Sequence, residues 1–138
     1  MNLFKWFSNH PDKVGFEDVK KAISNHSYTL INTMDTGFQD CLIQSTIPIH
    51  QEENIINNWM RKNDFSSRTL IIYGKNASDN SVFDKYTQLK QIGFSNIYIY
   101  SGGLFEWLLL QDIYGSADFP TTKQNVDLLK YREPQILF

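Results

Sequence analysis

The sequence predicts an α/β fold with a mainly parallel sheet, and three observations carry that prediction. β-rich apolar runs alternate with stretches whose apolar residues recur at helical spacing, and the connections between them are short. Thr69–Tyr73 and Ile97–Tyr100 are almost continuously apolar. Strands covered by helices on both faces read this way, whereas half-exposed strands alternate apolar with polar. At 138 residues the chain is one domain's worth and long enough to bury its own core.

The elements follow in order. Leu3, Phe4, Trp6 and Phe7 form an apolar cluster, either an arm packed on the domain or a contact with a partner or membrane surface. Pro11 and Gly15 break the chain before a helix over residues 16–25, which carries Phe16, Val19, Ala22 and Ile23 at helical spacing. Residues 28–34 read as a buried strand, and Thr36 and Gly37 turn the chain. Residues 41–49 hold a second extended run, ended near Pro48. Ile55, Ile56, Trp59 and Met60 mark a helix over residues 52–61. After Thr69–Tyr73 comes a polar loop. Ser81 followed by Asp84 then resembles a capping box, opening a helix lined by Val82, Phe83, Tyr86, Leu89 and Ile92. Gly93 sits where that helix ends in a left-handed cap. Ile97–Tyr100 is the next strand, and Gly102 and Gly103 turn it into a helix with Phe105, Trp107, Leu108 and Leu109. The remainder is a mixed tail with a helical turn or two over residues 125–131. Three regions result: an N-terminal arm (1–15), the domain (16–112) and a C-terminal extension (113–138) that packs on the domain or on a partner.

Composition excludes several classes. A net charge of −2 gives no electrostatic drive toward nucleic acid. Cys41 is the only cysteine, so no intrachain disulfide forms. His10, His26 and His50 are far apart and read as surface residues, and no cluster has metal-ligand spacing. No cofactor motif is present. No apolar run is long enough to span a bilayer, and the first ten residues lack a signal peptide's cleavage site. The expected location is intracellular. The abundance of Asn, Ile and Lys points to an AT-rich genome, with a viral assembly as the setting if the gene is viral.

Gly93-Phe94, Asn96-Ile97-Tyr98, Gly102-Gly103 and Trp107 resemble the closing signature of rhodanese-like domains. In that family a glycine–aromatic pair ends the helix after the active loop, a strand follows, and a double glycine precedes a tryptophan by four positions. Leu30 to Met34 lies where the family has a strand ending in Asp and Arg, and here Asn32 and Met34 stand instead. Leu42 to Ile47 lies where the family has His-Ile-x-Gly-Ala-Ile. The resemblance runs from about residue 16 to 111. It implies a rhodanese-like fold with a mainly parallel central sheet of about five strands, flanked by helices on both faces.

The resemblance also implies sulfur transfer through a cysteine in the strand-to-helix loop, and that chemistry needs a thiolate held by backbone N–H groups. This loop reads Gly74, Lys75, Asn76, Ala77, Ser78, Asp79, Asn80, Ser81, with no cysteine. Alignment from the strand end puts the nucleophile's position at Gly74. Counting back from Gly93-Phe94 puts it near Asn76 or Ala77, and Ala77 is a natural stand-in for cysteine. No arginine lies between Arg68 and Arg132, and Asp79 adds negative charge where an anionic substrate needs positive. Ser78 and Ser81 have no histidine nearby in sequence to serve as base. Cys41 reads as a small buried thiol.

The expectation is therefore a catalytically silent rhodanese-like domain acting as a binding or structural module. It would engage a protein partner or a second copy through its terminal arms, from an aromatic pool of Phe4, Trp6, Phe7, Trp59, Tyr114, Phe119 and Phe138. The alternative is a sulfurtransferase with a displaced or replaced nucleophile. A third reading, an anion or nucleotide binder using loop N–H groups, lacks a phosphate-loop motif.

Overall fold

The structure is a computed structural model that describes residues 11–125 and 127–134. The predicted apolar cluster at Leu3, Phe4, Trp6 and Phe7, and the tail residues Ile136, Leu137 and Phe138, lie outside the described residues.

Five strands form one sheet: β1 (Asp12–Val14), β2 (Tyr28–Asn32), β3 (Thr46–Ile47), β4 (Thr69–Tyr73) and β5 (Ile97–Tyr100). Their order is β1-β5-β4-β2-β3, and every pairing is parallel. The helices are α1 (Phe16–Ile23), α2 (Ile49–Arg61), α3 (Ser81–Ile92) and α4 (Gly103–Tyr114). Short three-ten turns lie at Thr36–Phe38 and Leu128–Tyr131.

Period-two alternation along the strands builds a core on each face. Leu30, Ile71, Tyr73 and Tyr100 face one way and pack with Val19 and Ala22 of α1 and Leu104, Trp107 and Leu108 of α4. Ile31, Leu70, Ile72, Ile97 and Ile99 face the other way and pack with Ile56 and Trp59 of α2 and Val82 and Leu89 of α3. Each fully buried side chain of this size contributes roughly 1.5–3 kcal/mol relative to exposure. The predicted two-sided coverage is thus what makes β4 and β5 read as unbroken apolar runs. Between α2 and α3, Glu52 and Lys85 form an ion pair at 2.5 Å that spares both charges an unpaired burial.

Three local expectations differ from the structure. Residues 12–14, left in the N-terminal arm by the sequence, are an edge strand paired with β5 in the register Asp12–Tyr98 to Val14–Tyr100. The extended run over residues 41–49 shrinks to Thr46–Ile47, because Ser45 takes a left-handed φ of 73° and Leu42 pairs with the C-terminal extension instead of the sheet. α2 begins at Ile49, directly after Pro48, whose fixed φ suits the start of a helix.

The described part of the C-terminal extension wraps the domain. Pro120 O accepts from Gln44 N at 3.1 Å and from Trp107 Nε1 at 3.1 Å. Ile43 and Thr121 form an antiparallel bridge, and Thr122 N donates to Leu42 O at 2.8 Å. Phe119 and Tyr131 are buried in the core. Covering these two rings takes part of the extension's apolar surface out of water, while Leu129 stays exposed.

Candidate functional site at the carboxyl end of the sheet

In a parallel sheet, ligand sites form beyond the carboxyl ends of the strands, where loops meet helix N-termini. A cavity of about 520 Å³ lies there. The end of β2 supplies Thr33, Met34 and Asp35, and the loop after β4 supplies Lys75, Asn76, Ser78, Asp79 and Ser81. The far wall comes from the extension, through Lys130, Arg132, Glu133 and Pro134.

The loop is built around the Asp79 carboxylate. Its Oδ2 accepts from Lys75 N at 2.9 Å, and its Oδ1 accepts from Ser81 N at 3.1 Å and from Ser81 Oγ at 2.6 Å. Gly74 leaves room for it, since a Cβ at position 74 would lie 2.6 Å from Asp79 Oδ2. The carboxylate thus takes up backbone donors of the kind that would otherwise face an anion. Ser81 is not the helix cap that the Ser-x-x-Asp pattern predicts. It is the first residue of α3, and Asp79, two residues earlier, accepts its N–H. A charged carboxylate is the stronger acceptor, so it wins the position over a hydroxyl.

Partial burial opposes ionisation of Asp79. The N–H groups of Lys75 and Ser81, the Ser81 hydroxyl and the Lys75 charge outweigh it, and they hold the carboxyl below the ordinary aspartate range. A depressed folded-state value contributes stability that is fully present above the unfolded value of about 4 and is lost as pH falls through the folded one. Asp79→Asn is therefore expected to lower the urea midpoint at neutral pH, with the gap to wild type narrowing as pH drops below about 4. A gap that stays constant from pH 7 to pH 3 would show that the ionised carboxylate does not hold the loop.

Asn76 is 7% exposed and uses its whole amide. Oδ1 accepts from Ser78 N at 3.0 Å, and Nδ2 donates to Tyr131 O at 2.9 Å and Arg132 O at 3.1 Å. Lys75 Nζ sits 4.0 Å from the centroid of the Phe38 ring. The carbonyls of Gly74 and Lys75 accept from Leu104 N at 3.0 Å and Phe105 N at 2.9 Å, so the loop satisfies the first turn of α4. Ala77 and Asn80 are exposed. Ala77 lines a separate recess of about 30 Å³ beside Lys13 and Ser101, not the main cavity. Ser78 is also exposed and lines the main cavity.

Cys41 is apart from this chemistry. It is buried in the core cluster with Tyr73 and Tyr131, and its Sγ donates to Lys123 O at 3.3 Å. Burial pushes the thiol above its ordinary value, with Thr121 and Lys130 opposing more weakly. A thiol held protonated is a poor nucleophile. It does not line the loop cavity. Among the described residues, no group of His, Cys, Asp and Glu is placed to hold a metal ion. No helix among them is long and apolar enough to cross a membrane.

Two features escape a sequence reading. Tyr73 is fully buried, yet its hydroxyl accepts from Ile43 N at 3.1 Å and bonds Thr46 Oγ1 at 2.8 Å, fixing the segment before β3. Asn32, also fully buried, exchanges two hydrogen bonds with Gln39, at 3.1 and 2.8 Å. Its Oδ1 also accepts from Met34 N, so a neutral amide pair orders the end of β2. An apolar strand with one tyrosine gives no hint of the first, and a seven-residue separation hides the second.

A family model described as "Rhodanese-like domain" matches residues 16–110. No curated protein matches. Three solved structures are similar. The BH2092 protein from Bacillus halodurans is 15% identical with a TM-score of 0.58, over 82% of this chain and 80% of that one. The Alr3790 protein from Anabaena sp. is 20% identical with a TM-score of 0.56, over 85% and 96%. An uncharacterized protein from Saccharomyces cerevisiae is 18% identical with a TM-score of 0.53, over 72% and 92%. At these identities the likeness is one of fold.

Proposed function

The chain belongs to the rhodanese-like domain family, and from that premise we propose that it is a catalytically silent member acting as a binding or structural module. One observation carries the proposal: the loop after β4 has no thiol, and the Asp79 carboxylate occupies its Lys75 and Ser81 N–H groups. Sulfur transfer needs a thiolate that attacks a sulfur donor and carries the persulfide. Gly74, directly after β4, has no space for a side chain while Asp79 is in place. Cys41 is buried and its thiol is disfavoured as an anion.

The partner contact falls to exposed apolar groups outside the core. Ile113 and Tyr114 at the end of α4 are 69% and 62% exposed, and Leu129 of the extension is 57% exposed. These side chains, with the terminal arms, are the surface we assign to a protein partner or a second copy.

Thiosulfate:cyanide sulfurtransferase activity tests the reading. The unmodified chain and Cys41→Ser are expected to be inert. Ala77→Cys is expected to stay inert, because position 77 opens away from the main cavity. The double variant Gly74→Cys/Asp79→Gly frees both the space and the donors, and is the one expected to gain turnover. Activity in the unmodified chain that disappears in Cys41→Ser would overturn the proposal and make Cys41 the nucleophile.

A further inference from the structure

The extension contributes a wall to the loop cavity, yet little inside it holds it in place. Leu128–Tyr131 is a single three-ten turn, capped by Asp127 Oδ1 accepting from Leu129 N at 3.2 Å. One turn is far below the length at which a helix sustains itself, so its position depends on what it touches. It docks through Tyr131 and Leu128, which pack on the core cluster beside α4, and through contacts with the loop region. Asn76 Nδ2 donates to the consecutive carbonyls of Tyr131 and Arg132. The Tyr131 ring meets Phe38 edge-on with centroids 5.7 Å apart, and Lys130 Nζ lies 5.1 Å from the same Phe38 ring. Outward, Leu129, Lys130, Arg132 and Glu133 are exposed.

We propose that residues 127–134 form a strap latched to the loop by Asn76, and that release of the latch opens the loop cavity and uncovers Cys41 without unfolding the sheet. The two events are linked by geometry. The strap supplies Lys130, Arg132, Glu133 and Pro134 to the cavity wall. Its Tyr131 side chain is 2% exposed and shares a core cluster with Cys41. Lifting the strap withdraws that ring from the cluster that buries the thiol, whose Sγ keeps its bond to Lys123 O. Asn76 is suited to be the latch because one end of its amide orders the loop and the other holds the strap. Opening of this kind belongs to the local, low-energy end of native fluctuations, whereas the strands open only globally. The inference does not depend on whether the loop is catalytic.

Cys41 is the chain's only thiol and serves as the reporter. The full chain is labelled with a chromogenic disulfide reagent under native conditions across a urea series. In the unmodified chain, labelling is expected with a urea slope well below that of global unfolding, since local opening exposes little surface. Asn76→Ala removes two hydrogen bonds to the strap and is expected to label on the order of tenfold faster with the same shallow slope. Leu89→Ala, in the opposite core, is the control. It weakens the fold as a whole and is expected to accelerate only the steep, global component. Asn76→Ala labelling at the wild-type rate would overturn the latch. If that variant does not fold, the unmodified chain still decides: a slope equal to global unfolding would overturn the strap.

Discussion

Trp107→Ala is expected to destabilise the domain by about 3–5 kcal/mol, among the largest effects of any single truncation in this chain. Trp107 is fully buried between α4 and the sheet. Its ring meets Tyr100 at 6.4 Å and Phe119 at 5.0 Å, both edge-on, and such pairs add about 0.5–1.5 kcal/mol beyond area. Its Nε1 donates to Pro120 O, so the same side chain ties the extension to the core. The loss should appear in urea melts as a lower midpoint with an unchanged slope. Trp107→Phe separates packing from the hydrogen bond. Pro120 O keeps the Gln44 N–H as a donor, so no acceptor is stranded, and the cost should fall to about 1–2 kcal/mol. Equal losses in the two variants would mean that the indole N–H, not the ring, anchors the extension.

That anchoring shows what a sequence reveals and what it hides. β4 and β5 are legible because burial on both faces leaves no polar residue between Leu70 and Tyr73, or at Ile97 and Ile99. β1 is not, because Asp12 and Lys13 are exposed and three residues give no period to read. The pairing of residues 41–44 with 120–123 rests mostly on backbone groups some 80 positions apart, which composition does not encode. The site divides the same way. The missing thiol and the acidic loop can be read directly. What Asp79 faces cannot be, since its partners at Lys75 and Ser81 include backbone N–H groups that every residue but proline carries. The Ser-x-x-Asp pattern at 81–84 misleads for that reason: a stronger acceptor two residues earlier had already taken the helix start. Asn76 reads as one more polar loop residue, and only the fold brings Tyr131 and Arg132 above it.

Gly103→Ala is expected to damage the site and the fold together, at about 2–4 kcal/mol, from two separable costs. The first is conformational. Gly103 has φ +68°, where an L side chain costs roughly 1–2 kcal/mol. The second is contact with the loop. A Cβ there would lie 2.8 Å from Gly74 O and 2.9 Å from Asn76 N, both backbone atoms. Relief requires the loop and the N-terminus of α4 to part. That would strain the bonds from Leu104 N to Gly74 O and from Phe105 N to Lys75 O, leaving a helix start short of acceptors. Gly115→Ala carries a conformational cost of its own and no contact cost, since Gly115 has φ 101° and ψ 159°, a region open almost only to glycine, and a Cβ there meets nothing within 4 Å. Thermal melts should show both variants below wild type, and the loop contact is read from Cys41 labelling instead. Because Asn76 lies against Gly103, Gly103→Ala should also speed Cys41 labelling, whereas Gly115→Ala should not. Cys41 labelling at the wild-type rate in Gly103→Ala would show that the close approach of α4 to the loop is relieved without disturbing the loop.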